Sequence, residues 1–268
     1  MVVRTAILLS GTMVATIAIL CACGSGGRVS GTADRGGSSG SGGSPESGSP
    51  DGPQGSGSPV VLASGQMSAF GIAVDGTGVY WTVSPHGAVM KVPIGGGSAT
   101  TLASGAAPMA IALGSTSVYW TDVSAFTVNA VPTRGGTPTT LSTFVDGGGG
   151  SYVTDITVDS TAAYWSQSTN GGYGVLASVA LGGGSVTTLA QGSTVYPGGI
   201  AVDSMSVYYT NSVSPGGAVM KVPLGGGTPT KLASTAREPR AIAVAAANIY
   251  WTESGGLSGA PGTPTPRP

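Results

Sequence analysis

Thiol chemistry is nearly absent from this chain. Its two cysteines, Cys21 and Cys23, stand together at the end of an apolar N-terminal stretch. A mature chain beginning at Cys23 would hold only a blocked cysteine, which excludes disulfides, thiolate metal sites and a cysteine nucleophile together. Histidine is scarcer still, with His86 alone, so a histidine-based metal triad is excluded as well. Charged residues make up 8% of the chain and the net charge is −1, which leaves no electrostatic footprint for nucleic acid. No segment carries helical periodicity over a useful length. The glycine triplets lack the Lys-Ser/Thr of a phosphate loop and lead into strands, so no cofactor is implied.

What is present begins with an export signal. Arg4 supplies a positive start, and Ala6 to Leu20 is an apolar run without charge, shorter than the roughly 20 residues of a membrane span. Leu20-Cys21-Ala22-Cys23 resembles a bacterial lipobox in which Cys23 is the modified residue. Cys21 does not fit that register, because Leu20 would stand where a small residue is needed. Acylation would anchor the protein to the bacterial membrane on its periplasmic or cell-surface side, each buried methylene contributing roughly 0.8 kcal/mol.

Gly24 to Pro59 follows with almost no apolar residue. Such a stretch cannot bury enough surface to offset its ordering entropy. As a flexible leash it would reach about 30–36 Å.

From residue 60 onward the chain repeats itself. Aromatic pairs recur as Tyr80-Trp81, Tyr119-Trp120, Tyr164-Trp165, Tyr208-Tyr209 and Tyr250-Trp251, at intervals of 39, 45, 44 and 42 residues. Eight residues before each Tyr stands Ile72, Ile111, Ile156, Ile200 or Ile242, and Asp75, Asp159 and Asp203 stand five before three of them. Alternating strands, a Gly-rich turn and a Thr-rich strand complete the first four copies. Ser84–Gly97 and Ser214–Gly227 are near-duplicates. Four short strands in a repeat of this length predict a blade, and the chain an all-β protein: a β-propeller of four-stranded antiparallel blades. Small residues of the first strand suit the crowded axis, and the aromatic pair suits the space between blades.

Tyr119-Trp120-Thr121-Asp122 spells YWTD. With the IAVD-x4-YWT pattern and the later Gly turn, residues 60–253 resemble the YWTD propeller repeats of the low-density-lipoprotein-receptor group, and also exported bacterial propellers with IAVD…VYWT repeats. The resemblance implies the fold, and a protein or other ligand without specifying one. It departs from the family in two ways. One copy alone keeps the full motif, and five units stand where the receptor ring has six blades. The fifth unit lacks a recognisable third strand and runs into a proline-rich tail unsuited to a sheet interior. Five blades with the last incomplete is the expected count, with a six-blade-type or incomplete ring as the alternative. Pro59–Ser64 matches the fourth strand of other copies and is expected to close the ring beside the last blade. The chain thus divides into a lipoprotein signal peptide (1–22), a lipidated cysteine and disordered tether (23–58), a propeller (59–255) and a Pro/Gly-rich tail (256–268).

The recurring aspartates read as turn-formers. Lys91 and Lys221 read as solvated strand positions, and His86 as a turn residue. Recognition falls instead to the variable connections between blades and the turns on the same face. The candidate residues there are Phe70, Phe126, Phe144, Asp146, Tyr152, Tyr173, Tyr196, Arg237 and Arg240. Two functions stay open: an envelope-anchored binding or scaffold module for a protein or glycan, and an extracytoplasmic propeller hydrolase or lyase. No catalytic or metal residue is nominated. The lipobox reading predicts that mass spectrometry of membrane-extracted protein finds an acylated Cys23 at the N-terminus. A Cys23→Ser variant should leave the membrane fraction; one that stays bound rejects the anchor.

Overall fold

The computed structural model describes residues 60–66, 68–84, 87–144, 151–169, 172–212, 217–235, 237–245, 248–254 and 265–266, with backbone only for Ser151, Tyr152, Thr265 and Pro266. Cys23, the signal peptide, the tether, His86 and Asp146 lie outside the described residues, as does nearly all of the tail.

Alternating apolar and polar residues form antiparallel strands wherever two faces need covering. Blade 1 is β1 (Ala69–Val74), β2 (Gly78–Val83), β3 (Ala88–Pro93) and β4 (Thr100–Ser104). Blade 2 is β5 (Pro108–Leu113), β6 (Ser117–Asp122), β7 (Thr127–Pro132) and β8 (Thr139–Thr143). Blade 3 is β9 (Ser151–Val158), β10 (Ala162–Thr169), β11 (Gly174–Ala180) and β12 (Thr187–Gly192). Blade 4 is β13 (Pro197–Val202), β14 (Ser206–Asn211), β15 (Gly217–Pro223) and β16 (Thr230–Thr235). Blade 5 has β17 (Pro239–Ala245), β18 (Asn248–Glu253) and the two-residue β19 (Thr265–Pro266). The protein is a β-propeller of five blades, the last incomplete.

First strands are innermost, and β1, β5, β9, β13 and β17 pack each against the next. Crowding there explains their small residues: a Cβ on Gly71 would lie 2.7 Å from the Met109 carbonyl, and one on Gly199 2.7 Å from that of Arg240. The glycine pairs after the third strands have a different cause. Gly96, Gly135, Gly183 and Gly226 all adopt φ between 82° and 89°, left-handed backbone that side chains disfavour.

Neighbouring residues of a strand point to opposite faces, so an aromatic pair serves two seams at once. Tyr80 packs with Ile111 and Trp120 of the second blade, and Tyr119 with Ile156 and Trp165 of the third. Tyr164 packs with Ile200 and Tyr209, and Tyr208 with Trp251. The outer strand adds Leu102, Leu141, Leu189 or Leu232 to the same cluster. Trp120 and Trp165 are 2% and 1% exposed, and their indole N–H groups find no acceptor.

Four seams are filled in this way; among the described residues no cluster joins blade 5 to blade 1. On β18, Ile249 and Trp251 are buried against blade 4 while Tyr250 and Thr252 on the opposite face are exposed. Tyr250 is 42% exposed where the other five Tyr of the pairs are at most 6%.

One expectation is corrected here. Val60–Ser64 joins no sheet: Leu62 and Ala63 pack against Trp81 and Val92 of blade 1, in the station that Leu102 and Ala103 hold at blade 2. Among the described residues blade 5 has only the two-residue β19 in the place of a third strand, so the segment packs on blade 1 without a full edge to pair with. From the tail, Thr265 and Pro266 pair with Ile249 and Asn248 at the sheet edge. Proline is tolerated there because β19 is an edge strand, which needs no donor on its outer side.

The aspartate turns form as read. Oδ1 of Asp75 accepts the Thr77 and Gly78 N–H groups at 2.7 and 2.9 Å, and that of Asp159 the Thr161 and Ala162 N–H groups at 2.6 and 2.8 Å. Oδ2 of Asp159 and of Asp203 each accept the hydroxyl of the Tyr five residues on, at 2.9 Å. In blade 2 the Tyr119 ring fills the space a side chain at Gly114 would need. Lys91 is not simply solvated: Nζ lies 5.1 Å from the Tyr80 ring centroid and donates to the Thr133 carbonyl of the next blade at 3.0 Å.

Burial pushes the Asp75 and Asp159 carboxyls up, but hydrogen bonds from Thr77, Gly78 and Tyr80, and from Thr161, Ala162 and Tyr164, outweigh it and hold both below the ordinary value. Burial, and then the bond to Asp159 and its charge, pushes the Tyr164 phenol up to about 12. A carboxyl depressed on folding stabilises above its unfolded value, near 3.9, and that contribution fades as pH falls through the folded value. Melting temperature should therefore hold between about pH 7 and about pH 5 and fall below about pH 4. The Asp75→Asn/Asp159→Asn double variant should show a shallower acid decline. An equally steep one would exclude these turns as its source.

Candidate binding face

Antiparallel blades place the start of the first strand, the end of the second, the start of the third and the end of the fourth on one face. Every connection between blades lies there. Polar contacts from the ends of the second strands hold these connections, beginning with the YWTD aspartate. Asp122 is 2% exposed. Its Oδ2 accepts the Ala106 and Ala107 N–H groups at 2.7 and 3.1 Å, and its Oδ1 those of Ser124 and Ala125 at 3.1 and 3.0 Å. One carboxylate thus binds the preceding connection to its own turn. Asn211 holds the preceding connection in blade 4, where Oδ1 accepts the Tyr196 N–H at 2.6 Å and Nδ2 donates to the Thr194 carbonyl at 3.0 Å.

Hydroxyl groups secure the next blade. Thr82 donates to the Met109 carbonyl at 2.6 Å, Ser166 to that of Gly198 at 2.8 Å and Thr210 to that of Arg240 at 2.8 Å. Asp155 ties inner strands directly, accepting the Ile156 N–H on Oδ1 and the Ile200 N–H on Oδ2, both at 3.0 Å. Among the described residues of this rim, the connections 105–107 and 193–196 are anchored to the ends of the second strands, by Asp122 and Asn211.

The candidate residues divide within this face. Phe126, at φ 54°, and Phe144 stack edge-to-face with ring centroids 5.9 Å apart, and Phe144 is 7% exposed. This pair seals the seam between blades 2 and 3 and offers little surface. Phe70 is 61% exposed at the start of β1, and Tyr173 is 42% exposed in the turn before β11. Tyr196 lies over that turn, its hydroxyl against Gly172 (φ 78°), where a side chain would have no room. The turn and the neighbouring connection therefore bring Tyr173 and Tyr196 together. Arg237 and Arg240 are exposed at the entry to β17, and Arg240 Nη2 sits 3.1 Å from Glu238 Oε2 in an ion pair more than half exposed. Tyr152 stands opposite Ser168 in the β9–β10 register.

Sequence reasoning quoted the motif but assigned Asp122 no role, and it passed over Asn211. The recurrence of a polar residue after the aromatic-Thr step was the available signal. An open groove of about 540 Å³ runs beside the β12–β13 connection, lined by Leu189, Gln191, Thr194, Tyr209, Asn211 and Met220 among others. Its lining carries no carboxylate, histidine or lysine. Among the described residues, no three His, Cys, Asp or Glu side chains gather as a metal site would require.

No protein-family model matches this chain, and no curated protein matches it. Solved structures do. The propeller is similar to a chain of the nidogen/laminin complex, at 21% identity and a TM-score of 0.56, covering 70% of this chain and 73% of that one. It is similar to a streptogramin B lyase at 16% identity and a TM-score of 0.56, covering 72% and 64%. The calcium-binding protein regucalcin from Agrobacterium tumefaciens gives 18% identity and a TM-score of 0.57, covering 78% and 77%. At these identities the likeness is one of fold.

The clamp on the connections predicts a graded response. Asp122→Ala removes the acceptor of four N–H groups, of which that of Ala107 is buried, and should cost roughly 1–3 kcal/mol of unfolding free energy. Asp122→Asn, which imitates the Asn211 arrangement, should lose less than half of that. Urea denaturation distinguishes them, and equal losses would show that charge, not acceptor geometry, carries the clamp.

Proposed function

We propose that the protein is an exported lipoprotein, anchored through Cys23, that presents a propeller on a Gly/Ser leash as a binding or scaffold module for a protein or glycan of the cell envelope. The observation that carries this reading is the rim. Two of its connections are anchored, by Asp122 and Asn211, and seam hydroxyls secure the next blade, while Phe70, Tyr173, Arg237 and Arg240 stand exposed on it. Fixed aromatic and arginine side chains on a rigid frame bind with little ordering cost. The distribution of acids supports binding over hydrolysis. Asp75, Asp159 and Asp122 are each engaged by backbone N–H donors, an arrangement that stabilises turns and holds the carboxylate as an acceptor. Similarity to a propeller from the nidogen/laminin complex is in keeping with a protein partner.

The leash would let the rim reach partners about 30–36 Å from the lipid headgroups. Immobilised mature protein should retain a defined protein or polysaccharide from envelope extracts. Alanine at Tyr173 or Arg240 should weaken capture about 5- to 30-fold, matching 1–2 kcal/mol for an interface anchor. Capture indifferent to both substitutions would move the binding surface off this rim.

A further inference from the structure

The arc ends in two unlike faces that fit one another. Blade 5 shows solvent the side that every other blade buries: Ala243, Ala245, Tyr250 and Thr252 are exposed. Blade 1 ends in the side that receives such a face. Ile72 there holds the place of Ile111, Ile156 and Ile200, which pack with the preceding Tyr. Met90 holds the place of Met220, which packs into the seam between blades 3 and 4. The Phe70 carbonyl holds the place of the carbonyls of Met109, Gly198 and Arg240, each of which accepts a seam hydroxyl. Thr252 is the corresponding hydroxyl of blade 5, and it is exposed.

The outer strands match as well. Among the described residues, blade 5 has no fourth strand, and blade 1 already carries the Leu-Ala of one in Leu62 and Ala63, packed under Trp81. What the donor face lacks, the acceptor face supplies. Among the described residues the two are not joined within one chain: β17 does not pack on β1 as each other inner strand packs on the next, and Tyr250 stays 42% exposed.

We propose that the exposed face of blade 5 docks on the blade 1 face of a second copy of this chain, continuing the seam that the protein forms four times internally. Tyr250 packs on Ile72 and Met90 of the second copy, and Thr252 donates to its Phe70 carbonyl. The contact is heterologous, so each copy keeps one free donor and one free acceptor, and association extends head to tail.

The test is sedimentation velocity of the mature chain carrying Cys23→Ser, which removes lipid-driven aggregation, across a hundredfold range of concentration. The mass should climb with concentration to dimer and beyond. Tyr250→Glu places a charge on the donor face and Met90→Glu on the acceptor face; each alone should remain monomeric, with melting curves showing that both fold. Mixed in equal amounts, they retain one good face each and should give a species of twice the monomer mass and nothing larger. A wild-type chain that stays monomeric throughout overturns the proposal, as closure within one chain would produce. So does a Met90→Glu variant that folds and still self-associates, because blade 5 faces would then be pairing with each other.

Discussion

The seam between blades is the contact on which the rest of the structure depends. Each one takes Tyr from one blade, Trp or Tyr209 from the next, and a leucine from the outer strand, and encloses them almost completely. Burial of a single such side chain contributes roughly 1.5–3 kcal/mol, a sizeable share of the 5–15 kcal/mol by which a domain is stable. Enclosure is tight enough that Trp120 and Trp165 keep indole N–H groups without acceptors. Packing outweighs that loss.

Polar contacts then decide where the connections lie. Asp75, Asp159 and Asp203 hold the turns on one face, and their bonds to the tyrosine hydroxyls link those turns to the seams. Asp122, Asn211 and the seam hydroxyls hold the loops on the other. A surface fixed this firmly changes by substitution at its exposed positions, such as Tyr173 and Arg240, without disturbing the strands beneath. This is why one fold serves many ligands.

Blades 1 and 5 differ because a propeller blade is two-sided. Inner blades are covered twice, so β6, β10 and β14 are buried along nearly their whole length. In blade 1, β2 is buried along its whole length as well, with Leu62, Ala63, Ile72 and Met90, themselves partly exposed, packed over its outer side. Blade 5 has no equivalent, and β18 shows the alternation of a strand with a single covered face.

Much of this was legible in the residues themselves. Spacing of the aromatic pairs, the isoleucine eight before each tyrosine and the paired glycines specify strands, turns and blade count, because alternation and left-handed turns are local properties. The turn role of Asp75 and its counterparts was equally readable, since an aspartate bonds backbone two and three residues ahead. The rim was readable only as a list. Phe144 and Tyr173 look alike as loop aromatics, and only packing against Phe126 makes one a seal while the other stays exposed. Closure was beyond the sequence altogether. Val60–Ser64 carries the pattern of a fourth strand and takes that station over Trp81, but whether it also pairs depends on a third strand from the distant end of the chain, and pattern records only which residues are apolar, not which surface they meet.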